Sequence, residues 1–223
     1  MKTMFFLIVS LFTANILYAQ DSLRVSDMKT KLVAFTPLKN NIKEVDGIAI
    51  GLGDTFDTDK NHAQKINGIN LEPNPLGILI WMFFDPSKKS GTEKEPHLIV
   101  NGLSLSSGGH GTGISQNGIN ASLYNYGHTM KGISVAGLTT YINKGNGIMV
   151  SGLGVYAKEL NGLSISAFND ADQLKGLQVG IYNKTGTMKG VQIGLLNRSD
   201  KMKGFQIGFW NRNGKRSLPF INF

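Results

Sequence analysis

Cysteine is absent from all 223 residues, which excludes a disulfide framework, a thiol nucleophile and a lipidated cysteine behind a leader. Acid is scarce as well. Fifteen Asp and Glu stand against 23 Lys and Arg, a formal net charge of +8. Carboxylates are sparsest in the C-terminal half, where acid–base chemistry would want several of them converging. Past the N-terminus no apolar run reaches the eighteen or so residues that a membrane helix needs. Charged residues make up only 17% and hydrophobic ones 41%, which excludes a chain disordered by composition. What the chain has in plenty is glycine, 28 residues, and something regular must be using it.

The first nineteen residues are predicted to be a signal peptide. Lys2 supplies the positive start, residues 5–17 are mostly apolar but interrupted by Ser10, Thr13 and Asn15, and Ala19 offers a small residue for cleavage before Gln20. Residues 20–223 then form one domain large enough for a sizeable core.

Aligned on glycine, the C-terminal half has a single phase: Gly118, Gly132, Gly147, Gly162, Gly176, Gly190 and Gly204, in steps of 14 or 15. Gly102, Gly68 and Gly47 head looser copies upstream. The clearest units read KGLQVGIYN from Lys175, KGVQIGLLN from Lys189 and KGFQIGFWN from Lys203, an internal repeat. After each glycine the first and third positions are apolar, as in Ile133 and Val135 or Val191 and Ile193. The second and fourth are polar or small, as in Ser134 and Ala136 or Gln192 and Gly194. Period-two alternation in residues rich in Val and Ile predicts a short β-strand with its apolar positions buried.

The leading glycine and the trailing asparagines recur every unit or nearly so, whereas a meander would repeat its turn chemistry every second strand. The expected fold is therefore all-β, a single-domain parallel β-solenoid or β-roll with coils of about 14 residues. The alternatives are an antiparallel meander or an outer-membrane β-barrel, in which the Val, Ile and Leu positions would face lipid and the Gln and Gly positions the lumen. Parallel stacking turns equivalent positions into columns. Gln178, Gln192 and Gln206 should pair amide to amide, the asparagines likewise, and Phe168, Tyr182, Leu196 and Trp210 should form a largely aromatic column.

Regular repeats are assigned to residues 101–214, an N-terminal cap to 20–45 and a C-terminal cap to 215–223, since open solenoid ends expose strand edges. Residues 75–98 break the phase. They carry the apolar run 76–84, expected to be a buried strand or a flap over the rod, with contact to a membrane or partner as the alternative.

Candidate chemistry is thin. His62, His97, His110 and His128 share no metal-ligand spacing and are read as solvated loop histidines. The glycine-rich segment 108–113 lacks the lysine of a phosphate loop and reads as an ordinary turn. Asp57, Asp59 and Asn61 match the opening of a calcium loop, but His62 stands where its glycine belongs and Gly68 where its glutamate belongs. No catalytic residue, metal or cofactor is assigned.

Charge points further. Between Lys175 and Arg216 the chain carries nine basic residues against the single acid Asp200. In a stacked fold Lys175, Lys189 and Lys203 would share one column. With Lys201, Arg198 and Arg212 they form a candidate contact for an anionic ligand. A solvated, aggregation-resistant edge is the competing reading.

The repeated glycine–apolar–Gln–apolar–Gly–apolar–apolar–Asn units between residues 176 and 211, the NGLSIS and NGIN variants at Asn161, Asn101 and Asn117, and the ending KRSLPFINF resemble the exported surface repeat-containing proteins of Gram-negative, Bacteroidota-type bacteria. A looser likeness exists to the β-roll heads of trimeric autotransporter adhesins, whose coils repeat at about the same length. The first resemblance implies a periplasmic, outer-membrane or cell-surface location and carries no activity with it. The sequence thus suggests an exported, non-enzymatic structural or binding module. Its partners would be anionic envelope lipid, lipopolysaccharide or glycan, or another surface protein; an export signal disfavours nucleic acid. A barrel protein, or a glycan-processing enzyme on a solenoid, are the alternatives.

Overall fold

The computed structural model describes residues 29–53, 62–83 and 96–223. The predicted leader and the calcium-like residues Asp57, Asp59 and Asn61 lie outside them. Ten strands follow one another: β1 (Lys29–Thr36), β2 (Ile42–Gly51), β3 (Gln64–Glu72), β4 (Leu98–Ser106), β5 (Ile114–Ser122), β6 (Asn125–Ala136), β7 (Thr139–Ser151), β8 (Gly154–Ile165), β9 (Phe168–Arg212) and β10 (Ser217–Asn222). One short helix, α1 (Gly77–Phe83), interrupts them.

Spatial order equals chain order, β1 to β10, and every neighbouring pair from β1 to β9 runs parallel. The chain is a β-solenoid of about nine turns, on the order of 45 Å long at roughly 4.8 Å per coil. Strand β9 is 45 residues long because extended backbone continues through its last coils with little break. Neither alternative is realised. A meander or barrel would need antiparallel neighbours, and the described sheet is linear rather than closed. The one antiparallel pair is β9 with β10.

Glycine keeps the coils in register. Gly47, Gly68, Gly102, Gly118, Gly132, Gly147, Gly162 and Gly176 pair successively. From Gly68 onward each has φ in the left-handed region, +135° at Gly162 for example. A Cβ on Gly162 would also lie 2.0 Å from the carbonyl oxygen of Gly147 in the coil before. Backbone conformation and coil-to-coil approach thus both demand the missing side chain.

The strands alternate as expected, but their faces are reversed. The first and third positions after the glycine, the Ile and Val positions predicted to be core, point outward: Ile119 is 53% exposed, and Val135, Ile165 and Ile207 are likewise exposed. The second position points inward, with Asn120, Ser134, Ser164, Gln178, Gln192 and Gln206 all at 1% exposure or less. None of the leading glycines is buried, and the Cβ each one lacks would point at the coil before it rather than into the interior.

Polar residues are affordable inside because stacking satisfies them. Gln192 donates from Nε2 to Oε1 of Gln178 at 2.9 Å, and Gln206 to Gln192 at 2.8 Å. Asn169, Asn183 and Asn197 each donate from Nδ2 to Oδ1 of the asparagine in the next coil, at 2.7–2.8 Å. The second amide hydrogens of Asn183 and Asn197 reach the carbonyls of Ile193 and Ile207, both at 2.9 Å. Both amide ladders expected from the repeat are therefore present, and they line the interior. A buried amide with its partners in place escapes most of the few kcal/mol that an unpaired one costs.

Apolar packing fills the remainder. One cluster joins Val45, Ile66, Val100, Leu98 and Ile114 in the early coils. A second joins Met130, Met149, Leu160, Leu174 and Met188 in the later ones. Many of these residues stand two places before a leading glycine, on the inward parity.

The segment at 76–84 is helical where it is described, not a buried strand. Ile78, Leu79, Met82 and Phe83 are exposed, and Trp81 fastens α1 to the solenoid by donating from Nε1 to Thr139 Oγ1 at 2.9 Å. The expected aromatic column at Phe168, Tyr182, Leu196 and Trp210 falls on outward positions, three of them exposed. Stacked rings occur elsewhere, in the column Tyr126, Tyr141 and Tyr156, whose last pair lies 4.3 Å apart.

Candidate contact face

The position before each leading glycine forms an outward column: Asp46, Asn67, Asn101, Asn117, Lys131, Asn146, Asn161 and Lys175 pair successively, and Lys189 and Lys203 continue it at 14-residue spacing. Much of its early part is another amide ladder. Asn67 donates to Asp46 at 2.7 Å, Asn101 to Asn67 at 2.7 Å, Asn117 to Asn101 at 2.8 Å and, further on, Asn161 to Asn146 at 2.9 Å. In the last coils three exposed lysines replace the asparagines. The change gives up ladder bonds and sets cations one coil apart, where neighbouring charges repel by roughly 1 kcal/mol in water. Among the described residues no carboxylate pairs with these three lysines.

The six basic residues singled out in the sequence do not form one patch. Lys201 and Lys203 are both exposed on either side of half-buried Met202, so Lys201 adjoins the lysine column. Arg198 and Arg212 continue a different column, the one that runs Tyr126, Tyr141, Tyr156, Asp170 and then Lys184. Here acids are present. Lys184 Nζ lies 2.8 Å from Asp170 Oδ2 and Arg198 lies 3.7 Å from Asp200. The hydrogen bond and charge of Asp170 raise the Lys184 pKa. Among the described residues the three lysines of the column have no such acid beside them.

Beside that column run the two outward aliphatic columns, Ile48 to Phe205 and Ile50 to Ile207, and none of their residues is buried. In the last coils Ile181, Leu195 and Phe209 add a third, all exposed. Over the early coils this surface dips into an open groove of about 680 Å³ lined by Ile50, Leu71, Leu105 and Ala121. Toward the C-terminal end it becomes aromatic, with Phe205 at 55% and Phe209 at 69% exposure. Strand β10 extends it, since Ile221 pairs with Ile207. Phe220 pairs with Gly208, an inward position, yet a register shift between Leu218 and Phe220 and a φ of +63° turn its ring outward to 70% exposure. A bulge that re-aims one side chain, with a bulky residue in the left-handed region, is a deliberate and strained feature.

The histidines depart from expectation. None is fully exposed, His128 sits within β6, and His110 is completely buried. The turn at 107–113 carries His110 inward, where Nδ1 lies 3.0 Å from Glu72 Oε2 and Nε2 lies 3.2 Å from Ser104 Oγ. Burial alone would raise the Glu72 pKa. The facing His110, with further hydrogen bonds from Asn70 and Ser106, outweighs it and holds the carboxyl below its ordinary value. The connectivity is that of a serine–histidine–acid relay, but Ser104 and His110 are 1% exposed or less, and Ser104 Oγ also accepts from Asn70 Nδ2 at 3.2 Å. As placed, the trio pins the coils of β3 and β4 together and presents no nucleophile to solvent. Nothing in the sequence spacing of these residues could have found it, because 38 positions separate Glu72 from His110, and it is the pairing of β3 with β4 and the turn after β4 that bring them together.

Among the described residues no group of three His, Asp or Glu could hold a metal ion, and no helix is long and apolar enough to cross a membrane. Fold and surface together define a parallel β-solenoid with amide ladders inside and an uncovered aliphatic face edged by lysine. No family model matches the chain, nor does any curated protein or solved structure.

Proposed function

We propose that the chain is an exported cell-envelope protein, a non-enzymatic structural or binding module of the surface repeat-containing type, whose basic last coils contact an anionic envelope component, either lipid, lipopolysaccharide or glycan. One observation carries this reading: the outward amide ladder gives way to the unpaired lysines 175, 189 and 203, at a cost in repulsion that an anionic partner would remove. The leader-like residues 1–19 supply the route out of the cell, and the resemblance of the repeat units points to the same compartment.

Fractionation of the producing bacterium tests it. The processed protein should be found with the envelope, detach when salt is raised, and be captured by intact envelope components at low ionic strength. Recovery of an unprocessed chain in the cytoplasm, or capture that ignores both salt and the Lys175→Gln/Lys189→Gln/Lys203→Gln change, would refute the reading.

A further inference from the structure

Resting on that reading, we infer that the anionic partner is a lipid bilayer, and that the solenoid lies along it on its outward aliphatic face with the aromatic C-terminal end inserted. A soluble polyanion or a glycan would be served by the lysines alone. It gives no reason for three apolar columns to run uncovered beside them, nor for the apolar character to peak in the coils that carry the charge. In those coils lysine, aliphatic and aromatic side chains occur side by side on one face: Lys189 and Lys203, then Val191 and Phe205, then Ile193 and Ile207, then Leu195 and Phe209. That order matches the interfacial zone of an anionic membrane, where cations sit among headgroups and aromatic and aliphatic groups sink roughly 5–10 Å into the acyl boundary.

Phe220 is the second, independent sign. Strand β10 could end the sheet with any residue there, and left-handed backbone favours Gly or Asn. A phenylalanine held at a φ of +63° with its ring 70% exposed, beside the exposed Ile221 at the C-terminal end, gains what the strain costs once the ring enters a non-aqueous phase. A second copy of the chain is the rival occupant. The lysine border, with no acidic column among the described residues of the same face to meet it, favours an anionic sheet of lipid over a like-charged twin.

Vesicle sedimentation of the full chain, with the chain starting at Gln20 alongside, tests the inference. The vesicles are phosphatidylcholine alone and phosphatidylcholine mixed with phosphatidylglycerol. Binding should require phosphatidylglycerol and shift Trp210 emission to the blue in a Trp81→Phe background. It should weaken at least tenfold both in Lys175→Gln/Lys189→Gln/Lys203→Gln and in Phe205→Ser/Phe209→Ser. Phe220→Asn keeps folding out of the question, because asparagine suits a φ of +63°. It should melt no earlier than wild type and still bind mixed vesicles several-fold more weakly. If the aromatic variants bind as wild type does while the lysine variant fails on vesicles and on a soluble acidic polysaccharide alike, insertion is overturned and the anionic contact survives. Absence of binding to vesicles, lipopolysaccharide and polysaccharide overturns both. A stable dimer in sedimentation velocity that Phe205→Ser/Phe209→Ser dissociates assigns the face to a second copy and overturns the inference.

Discussion

Two residues show how little freedom single positions have in this stack. Gly162 combines a φ of +135° with a Cβ direction that ends 2.0 Å from a carbonyl oxygen. Gly162→Ala should therefore cost well over 2 kcal/mol, as left-handed strain and a backbone clash add. Gly137 lies on a turn, where a Cβ would meet only Leu123 at 3.5 Å. Gly137→Ala should leave the urea midpoint nearly unchanged, and equal losses at both sites would contradict the stacking account. Glu72 is the other case. Its folded pKa lies below 4.5, so its ionised form stabilises the fold above that value, and the contribution is lost as pH falls through the lower folded pKa. Urea midpoints followed from pH 7 downward should drop in this acid range for wild type and drop less steeply in Glu72→Gln. Parallel curves would show that the His110 contact adds nothing.

At the scale of elements, the ladders explain why a strand can turn its apolar side outward. The stacked amides from Asn169 to Asn211 and from Gln178 to Gln206 find partners in the adjoining coil, and their stability comes from repetition rather than from transfer out of water. A ladder needs an end. Asn222 of β10 donates to Gln206 Oε1 at 2.9 Å, closing the glutamine column, while Pro219 and the bulge at Phe220 spoil the far edge of β10 for further pairing. Arg216 holds the terminus by stacking over Phe223, 4.6 Å from its ring centre, and by donating to the Phe223 carbonyl. A chain stopped after Gly214 should expose the edge of β9 and the unfilled acceptor of Gln206. Light scattering at neutral pH should record self-association within hours. A monodisperse truncation would show that β10 protects nothing.

Across the whole molecule the sequence told more about repetition than about direction. The glycine spacing, the parallel stacking and the amide ladders could all be read from residues 101–214, because each depends only on like positions recurring. Which face is inside could not be read that way. Ile and Val were assigned to the core by the usual cost of exposing them, about 1 kcal/mol for each half-exposed side chain. In the structure Gln178 and its equivalents, at the position between them, face the interior instead, where the glutamine ladder pairs them from coil to coil. The lysine column at 175, 189 and 203 followed directly from the period. Its separation from Arg198 and Arg212 did not, since that depends on where the coil turns its corners. Helix α1 escaped because seven apolar residues without polar alternation look alike as strand or helix, and the Glu72–His110 contact escaped because it closes across an irregular insertion.

The glycine column also sets how such a molecule can vary in size. With each leading glycine seated against the carbonyl of the one before it, a partial segment has nowhere to rest, whereas a complete fourteen-residue turn finds ready partners above and below. Descent within this architecture should thus proceed by gain or loss of entire turns, altering reach along the axis in discrete increments while leaving girth, interior chemistry and the closing hairpin as they were.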